Sequence, residues 1–212
     1  MSEAPRTRDA ARSRAEVLDV AEEVFAEAGY SGARVDEIAA RMSTTKRMIY
    51  YYFGSKEDLY VAVLERAYRG IREAEQAMDL GDLPPADAVR RVAELTFDHH
   101  HQHPAFIRLV AIENIHHAKF LKKIGTLREL GTPAVSVLQE ILDRGRRDGS
   151  VRPDVDALDV HMMISSYCVF QIANSHTFGY LFDYEMRSAK LRAHNRQVLG
   201  DIVEAWLSSR AP

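Results

Sequence analysis

The decisive stretch reads Val35-Asp36-Glu37-Ile38-Ala39-Ala40-Arg41-Met42, then Ser43-Thr44-Thr45, then Lys46-Arg47-Met48-Ile49-Tyr50-Tyr51-Tyr52. Val35, Ile38 and Ala39 fall on one face of a short helix, a hydroxyl-rich turn follows, and a second short helix begins with two cations. Two short helices joined by a tight turn, supported by a longer helix, form the geometry that sets a recognition helix into a major groove. Thr44, Thr45, Lys46, Arg47 and Met48 then lie at its N-terminal end, where side chains reach base edges and free backbone N–H groups hold phosphate. Three successive phenols cannot all point inward, so at least one of Tyr50, Tyr51 and Tyr52 faces solvent or phosphate. Taken alone, the segment could also be an ordinary helical hairpin with a solvated polar face.

The flanking sequence separates these readings. Upstream, Ser13-Arg14-Ala15-Glu16 is a capping box, and Val17, Leu18, Ala21, Val24, Phe25 and Ala28 recur at helical spacing until Gly29 supplies a stop. Downstream, Phe53-Gly54-Ser55 breaks the pattern. Ser55 with Asp58 caps a long fourth helix carrying Leu59, Val63, Ala67 and Ile71, which Gly81-Asp82-Leu83-Pro84-Pro85 ends. Further helices are expected at about 86–102, 104–118, 133–148, 156–180 and 185–209, with boundaries open in 119–132, where Gly125 and Gly131 interrupt Phe120, Leu121, Ile124 and Leu127. No strand-like alternation occurs.

Val17-Leu18, Ala21, Phe25, Gly29-Tyr30, Val35, Ile38-Ala39, Ile49-Tyr50, Tyr52-Phe53, Ser55-Lys56 and Leu59 together resemble the N-terminal signature of TetR/AcrR transcriptional regulators. The resemblance covers residues 13 to about 64. It implies a recognition helix over Thr45 to Tyr51, a backbone contact from Tyr52, and phosphate neutralisation by Lys56. It also implies an all-α chain of about nine helices. A basic, flexible arm would occupy 1–12, a three-helix helix-turn-helix DNA-binding domain 13–58, and an effector-binding and dimerisation domain 59–209. The DNA-contacting set is Arg34, Thr44, Thr45, Lys46, Arg47, Met48, Tyr50, Tyr51, Tyr52 and Lys56. Where the family usually has Gly and Val in the turn, this chain has Ser43 and Thr44. The family's usual function is ligand-released repression, here of a catabolic or efflux operon.

The formal net charge of −3 argues mildly against nucleic acid. Its distribution matters more: no acid falls between Ile38 and Lys56, leaving Arg41, Lys46, Arg47 and Lys56 unopposed in sequence, and Arg6, Arg8, Arg12 and Arg14 cluster at the start. The single cysteine, Cys168, lies in an apolar run and reads as a buried small hydrophobe. The longest apolar stretch, Met162 to Ala173, is broken by Ser165, Ser166 and Gln171, and no signal core opens the chain, so a cytoplasmic protein is expected.

The helix over 156–180 is apolar nearly all round and must bury more than one face. The last helix carries Val198, Leu199, Ile202, Val203, Trp206 and Leu207 at three-to-four spacing. Two such helices per chain suit a symmetric four-helix bundle, hence a homodimer through the last two helices and a near-palindromic operator. Polar residues scattered in apolar patterns suggest a small-molecule effector site: Arg108, Glu113, Asn114, His117, Tyr167, Gln171, Asn174 and His176. Singly, each is as readily a satisfied surface or interface group. Ile107 to His117 also resembles a TetR subgroup associated with catabolism of aromatic acids.

No cofactor, metal or catalytic residue is expected. His99 and His103 share a helix face, but no Cys or second spaced pair completes a metal site. Glu113-Asn114-Ile115-His116 matches one Glu-x-x-His half of a di-iron bundle, which needs two such halves and two further glutamates. No nucleophile elbow, phosphate-binding Gly loop or dinucleotide fingerprint occurs, so an enzyme is not expected.

Overall fold

The computed structural model describes the backbone of residues 4–208 and their side chains outside 4–11 and 127–134. Within it lie ten α-helices and one 3₁₀ turn: α1 Ala4–Gly32, α2 Val35–Arg41, α3 Lys46–Phe53, α4 Lys56–Gln76, α5 Pro85–Gln102, α6 Pro104–Ile115, the 3₁₀ turn Leu121–Lys123, α7 Leu127–Asp148, α8 Ala157–Ala173, α9 Ser175–Phe182 and α10 Ala189–Ser208. No strand is present among the described residues. The chain divides into two compact units, Met1–Tyr68 with Arg108–Leu127, and Arg69–Ile107 with Arg128–Pro212.

In the first unit the buried residues are the apolar stripe of α1 (Val17, Leu18, Ala21, Val24, Phe25), Ile38 and Ala39 of α2, Ile49 of α3, and Leu59, Tyr60, Val63 and Leu64 of α4; α1 packs on α2, α2 on α3, and the Phe25 ring meets that of Tyr60 edge-on at 4.8 Å. Gly29 has φ 69 and ψ 173, so the long helix breaks where the sequence places its stop, and a residue without a Cβ takes that conformation without penalty. Arg41 binds Glu27 at 2.9 Å and Glu37 at 2.7 Å, tying α2 to α1. Arg66 of α4 likewise reaches Asp19 and Glu22 of α1 at 2.6 and 2.7 Å.

The sequence division at residues 58 and 59 differs from this packing. The first half of α4 and residues 108–127 lie in the same unit as the reading helices. Phe120 is the reason: 2% exposed, its ring lies 4.3 Å from that of Tyr30 and 5.1 Å from that of Tyr60. The segment read as a flexible arm is helical from Ala4, because α1 continues unbroken upstream of its expected capping box at Ser13. The side chains of Arg6 and Arg8 lie outside the described residues.

The core of the second unit is built from α5 (Ala88, Val89, Val92, Ala93, Phe97), α7 (Leu138, Ile141, Leu142), α8 (Ala157, Val160, Ile164, Cys168) and α10 (Leu199, Val203, Leu207). Cys168 is fully buried, and burial pushes its thiol up to about 12, so it packs as a hydrophobe and is unreactive. The helix expected over 156–180 is two helices. Asn174 leaves helical geometry at φ −103, ψ 3, and Ser175 and Thr177 hydroxyls donate to the Ile172 and Asn174 carbonyls. Such short polar side chains compete with the helix's own hydrogen bonds and favour its ends.

Candidate nucleic-acid interface and effector cavity

α2 ends in a Schellman-type cap. The Thr44 N–H donates to the Ala39 carbonyl at 3.0 Å, the Ser43 N–H to that of Ala40 at 3.3 Å, and Ser43 holds φ 54. Thr45 then starts α3 in extended geometry, and its Oγ1 accepts the Met48 N–H at 3.3 Å. Its hydroxyl is therefore a helix cap. Ile49 and Phe53, four residues apart, anchor α3 in the core at 0% and 8% exposure. That anchoring turns Lys46, Arg47, Met48, Tyr50 and Tyr51 to solvent, Tyr51 most of all at 79%.

The cations differ in freedom. Lys46 Nζ lies 3.0 Å from Asp36 Oδ2, a hydrogen bond that raises its pKa, and Arg41 is held by the α1 acids. Two of the four cations unopposed in sequence are thus opposed in space. Arg47 is exposed and forms no ion pair among the described residues. Arg34 is exposed at the position before α2, and Thr44 is half-buried in the turn. Tyr52 is half-buried, its ring 5.5 Å from that of Tyr51. Lys56 opens α4 with its ammonium 4.8 Å from the Tyr30 ring centroid, and partial burial lowers its pKa. Ser55 caps that helix, accepting the Asp58 N–H at 3.0 Å and donating to Asp58 Oδ2 at 2.6 Å.

The eight residues read as effector groups are divided between the two units. Arg108, Glu113, Asn114 and His117 belong to the first unit, and Tyr167, Gln171, Asn174 and His176 to the second. Glu113 is 2% exposed, and its Oε2 accepts the N–H groups of Phe120 and Leu121 at 3.1 and 3.0 Å, fastening the 3₁₀ turn. Asn114 donates to the Val110 carbonyl, and His117 is exposed at φ 55. Gln171 accepts from Asn195 at 2.9 Å, Asn174 ends α8, Tyr167 packs near Phe97, and His176 is exposed.

The second unit instead contains a narrow gap of about 10 Å³, room for about one water molecule, lined by Glu75, Met78, Val92, Thr96, Val137, Leu138, His161 and Ile164. Its polar groups are few. Glu75 is buried and bound by Arg72 at 2.5 Å, burial raises its pKa, and burial lowers that of His161. Its lining is an apolar wall with a carboxylate, a hydroxyl and an imidazole, the chemistry of a small-ligand site, but a ligand fits only if the walls move apart. The sequence signal was available: Thr96 sits in phase with buried Val92, Ala93 and Phe97, and His161 interrupts an apolar helix.

The family model for bacterial regulatory proteins of the tetR family matches residues 17–63, and that for the tetracyclin repressor-like C-terminal domain matches 85–203. The chain belongs to the TetR family. It is 33% identical over 197 residues to the HTH-type transcriptional repressor NicS of Pseudomonas putida, covering 93% of each chain. It is 32% identical over 110 residues to the HTH-type transcriptional repressor SCO4008 of Streptomyces coelicolor, covering 51% of this chain and 53% of that one. A solved transcriptional regulator from the same Streptomyces species superposes with a TM-score of 0.66 at 28% identity, covering 92% and 97% of the two chains. A tetR-family regulator from Rhodococcus RHA1 shares the fold alone, with a TM-score of 0.71 at 17% identity over 92% and 96%.

This TetR-family chain is therefore a DNA-binding transcriptional regulator, a non-enzyme like its relatives. TetR-family regulators bind operator DNA and ligands and form dimers. In this member the Glu-x-x-His half-motif does structural work, since Glu113 holds backbone amides and His116 is exposed. His99 and His103 stack with centroids 4.1 Å apart, and among the described residues no three His, Cys, Asp or Glu side chains group to hold a metal. No helix of the described residues is long and apolar enough to cross a membrane.

Proposed function

We propose that this regulator is a cytoplasmic homodimeric repressor that reads a near-palindromic operator with two copies of α3 and leaves it when a small molecule occupies the second unit. The exposed face of α3, with Arg47, Met48 and Tyr51 turned to solvent by the core anchors Ile49 and Phe53, carries this reading. Arg47 would read a base edge, Tyr51 and Tyr52 the phosphate backbone, and Lys56 would neutralise a phosphate. Two reading helices on a two-fold axis would meet half-sites one helical turn apart, about 34–36 Å.

Similarity to the repressor NicS supports repression as the sign of control, and the resemblance of residues 107–117 supports a catabolic operon. The dimer would form through α8 and α10, where Leu158, Met162, Phe170 and Ile202 are exposed although large and apolar. The effector would part the walls of the gap bounded by Glu75, Thr96 and His161 and occupy the space so opened. It would favour the dimer state whose head spacing misfits the operator, a shift that needs a few kcal/mol of differential affinity.

Fluorescence anisotropy on DNA from upstream of its own and neighbouring genes tests the reading. Saturable binding to one near-palindromic fragment, weakening with salt, is expected. Absence of sequence-preferring binding at every salt concentration, together with failure of a genome-wide DNA selection, would overturn it.

A further inference from the structure

No acid occurs between Glu113 and Glu129, a stretch that holds Lys119, Lys122 and Lys123 in a chain of net charge −3. All three lysines are exposed, and they belong to the compact unit that carries the reading helices. The segment that bears them is fixed. Phe120 and Ile124, four residues apart, are buried, and the buried Glu113 carboxylate accepts the N–H groups of Phe120 and Leu121. The Ala118 N–H donates to the Glu113 carbonyl at 2.7 Å, and the Lys122 N–H to that of Ala118 at 3.1 Å. His117 and Ala118 hold φ 55 and 56, two consecutive non-glycine residues in the left-handed region. Such strain persists only where the surroundings over-determine it, and it collects at functional sites. With the backbone so held, binding through these lysines orders only their side chains.

The lysines continue a row that begins at Lys56. The Lys56 ammonium lies 4.8 Å from the Tyr30 ring centroid, the Tyr30 and Phe120 centroids are 4.3 Å apart, and Lys119 Nζ lies 5.1 Å from the Phe120 centroid. These spacings keep the Lys56 and Lys119 ammoniums within about 14 Å of each other, the rise of about four phosphates along one DNA strand. Lys123 forms an ion pair with Glu57, the second residue of α4, so its charge holds the segment to the helix that Lys56 opens. Lys119 and Lys122 form no ion pair among the described residues and keep their charge for a ligand.

We propose that Lys119 and Lys122 contact DNA phosphates, extending the DNA-binding surface beyond α3 and the start of α4 onto the duplex backbone flanking each half-site. The proposal rests on the DNA-reading assignment of α3 and Lys56, and adds to it an element outside the helix-turn-helix. Such contacts carry no base preference: they raise affinity for every sequence and lengthen the duplex that tight binding needs.

Anisotropy titrations of the full chain over a salt series, wild type beside the Lys119→Gln, Lys122→Gln double variant, test it on the genomic fragment that the wild type selects. Both side chains are exposed, so the circular dichroism spectrum is expected to be unchanged. At about 0.1 M salt the double variant is expected to bind at least about tenfold more weakly, its salt slope flattened by about 1.8 per bound protomer. Its preference among operator variants should match that of wild type. Trimming the duplex on both sides of the operator should weaken wild type by a similar factor and the double variant little. An Arg91→Gln, Arg147→Gln variant changes net charge equally, on exposed side chains of the second unit, and is expected to bind like wild type. A double variant with the wild-type slope, or a charge control that flattens the slope as much, would overturn the lysine contacts and leave the role of α3 intact. A wild type without sequence-preferring binding at any salt concentration would overturn both.

Discussion

Lys46 Nζ lies 3.0 Å from Asp36 Oδ2, an ion pair that joins the first residue of the reading helix to the first turn of the helix before it. Both side chains are about half exposed, so the pair adds little to stability, and its main effect is to place a negative charge beside the surface that would meet DNA. Asp36→Asn is expected to tighten binding to all DNA alike and to steepen the salt dependence by roughly one counterion, a slope change of about −0.9. Anisotropy titrations at several salt concentrations check this. Unchanged affinity and slope would mean that Lys46 and Asp36 stay clear of the phosphates.

Arg47 and Lys56 should fail differently. Arg47→Ala is expected to relax preference at one operator position at a cost of about 1–3 kcal/mol, the worth of a bidentate contact to a guanine edge. Lys56→Ala is expected to weaken every sequence equally and flatten the salt slope. Selection from a randomised operator pool separates the two, and identical preferences in both variants would remove Arg47 from base reading.

The helix-turn-helix was legible because its signals are local: hydrophobic period, a capping Ser55, a Gly29 stop and a polar turn all act within a few residues of one another. What escaped the sequence was long-range. Asp36 neutralises Lys46 across a turn, and Glu113 looked like a ligand because sequence does not show the amides of Phe120 and Leu121 closing on its carboxylate. Phe120 sits in an ambiguous stretch, yet its packing on Tyr30 and Tyr60 places that stretch in the DNA-reading unit. The gap was missed for the opposite reason: Glu75, Thr96 and His161 are single polar residues on three helices, which only the fold brings together.

Ser43 holds φ 54 in the turn, a left-handed conformation that costs a non-glycine residue roughly 1–2 kcal/mol. Its side chain is exposed, and its backbone N–H completes the Schellman cap. Ser43→Gly removes that strain but makes the unfolded chain more flexible, a loss of about 0.4–1 kcal/mol. A net gain of up to about 1.6 kcal/mol is expected in urea denaturation, with DNA affinity unchanged. Destabilisation would mean that the serine side chain holds the turn together.

The histidines of α5 set the acid limit of the second unit. Burial holds His100 neutral and pushes its pKa down to about 4, with His99, His101 and Arg72 adding like-charge repulsion against a backbone hydrogen bond to Thr96 that favours the charged form. In the unfolded chain the imidazole titrates near 6.5, so between about pH 6.5 and 4 the unfolded state binds more protons, and stability falls as pH falls. For His100 the loss by pH 4 is on the order of 3 kcal/mol. Glu75 acts in the opposite sense, since burial raises its pKa and acid relieves its buried carboxylate. Comparison with His100→Gln cancels the Glu75 contribution. The variant should be less stable than wild type at pH 7.5, having lost a buried ring, and the difference should shrink steadily below pH 6.5. Parallel stability curves for the two proteins from pH 7.5 to 4.5 would show that His100 gains its proton in the folded state as readily as in the unfolded one.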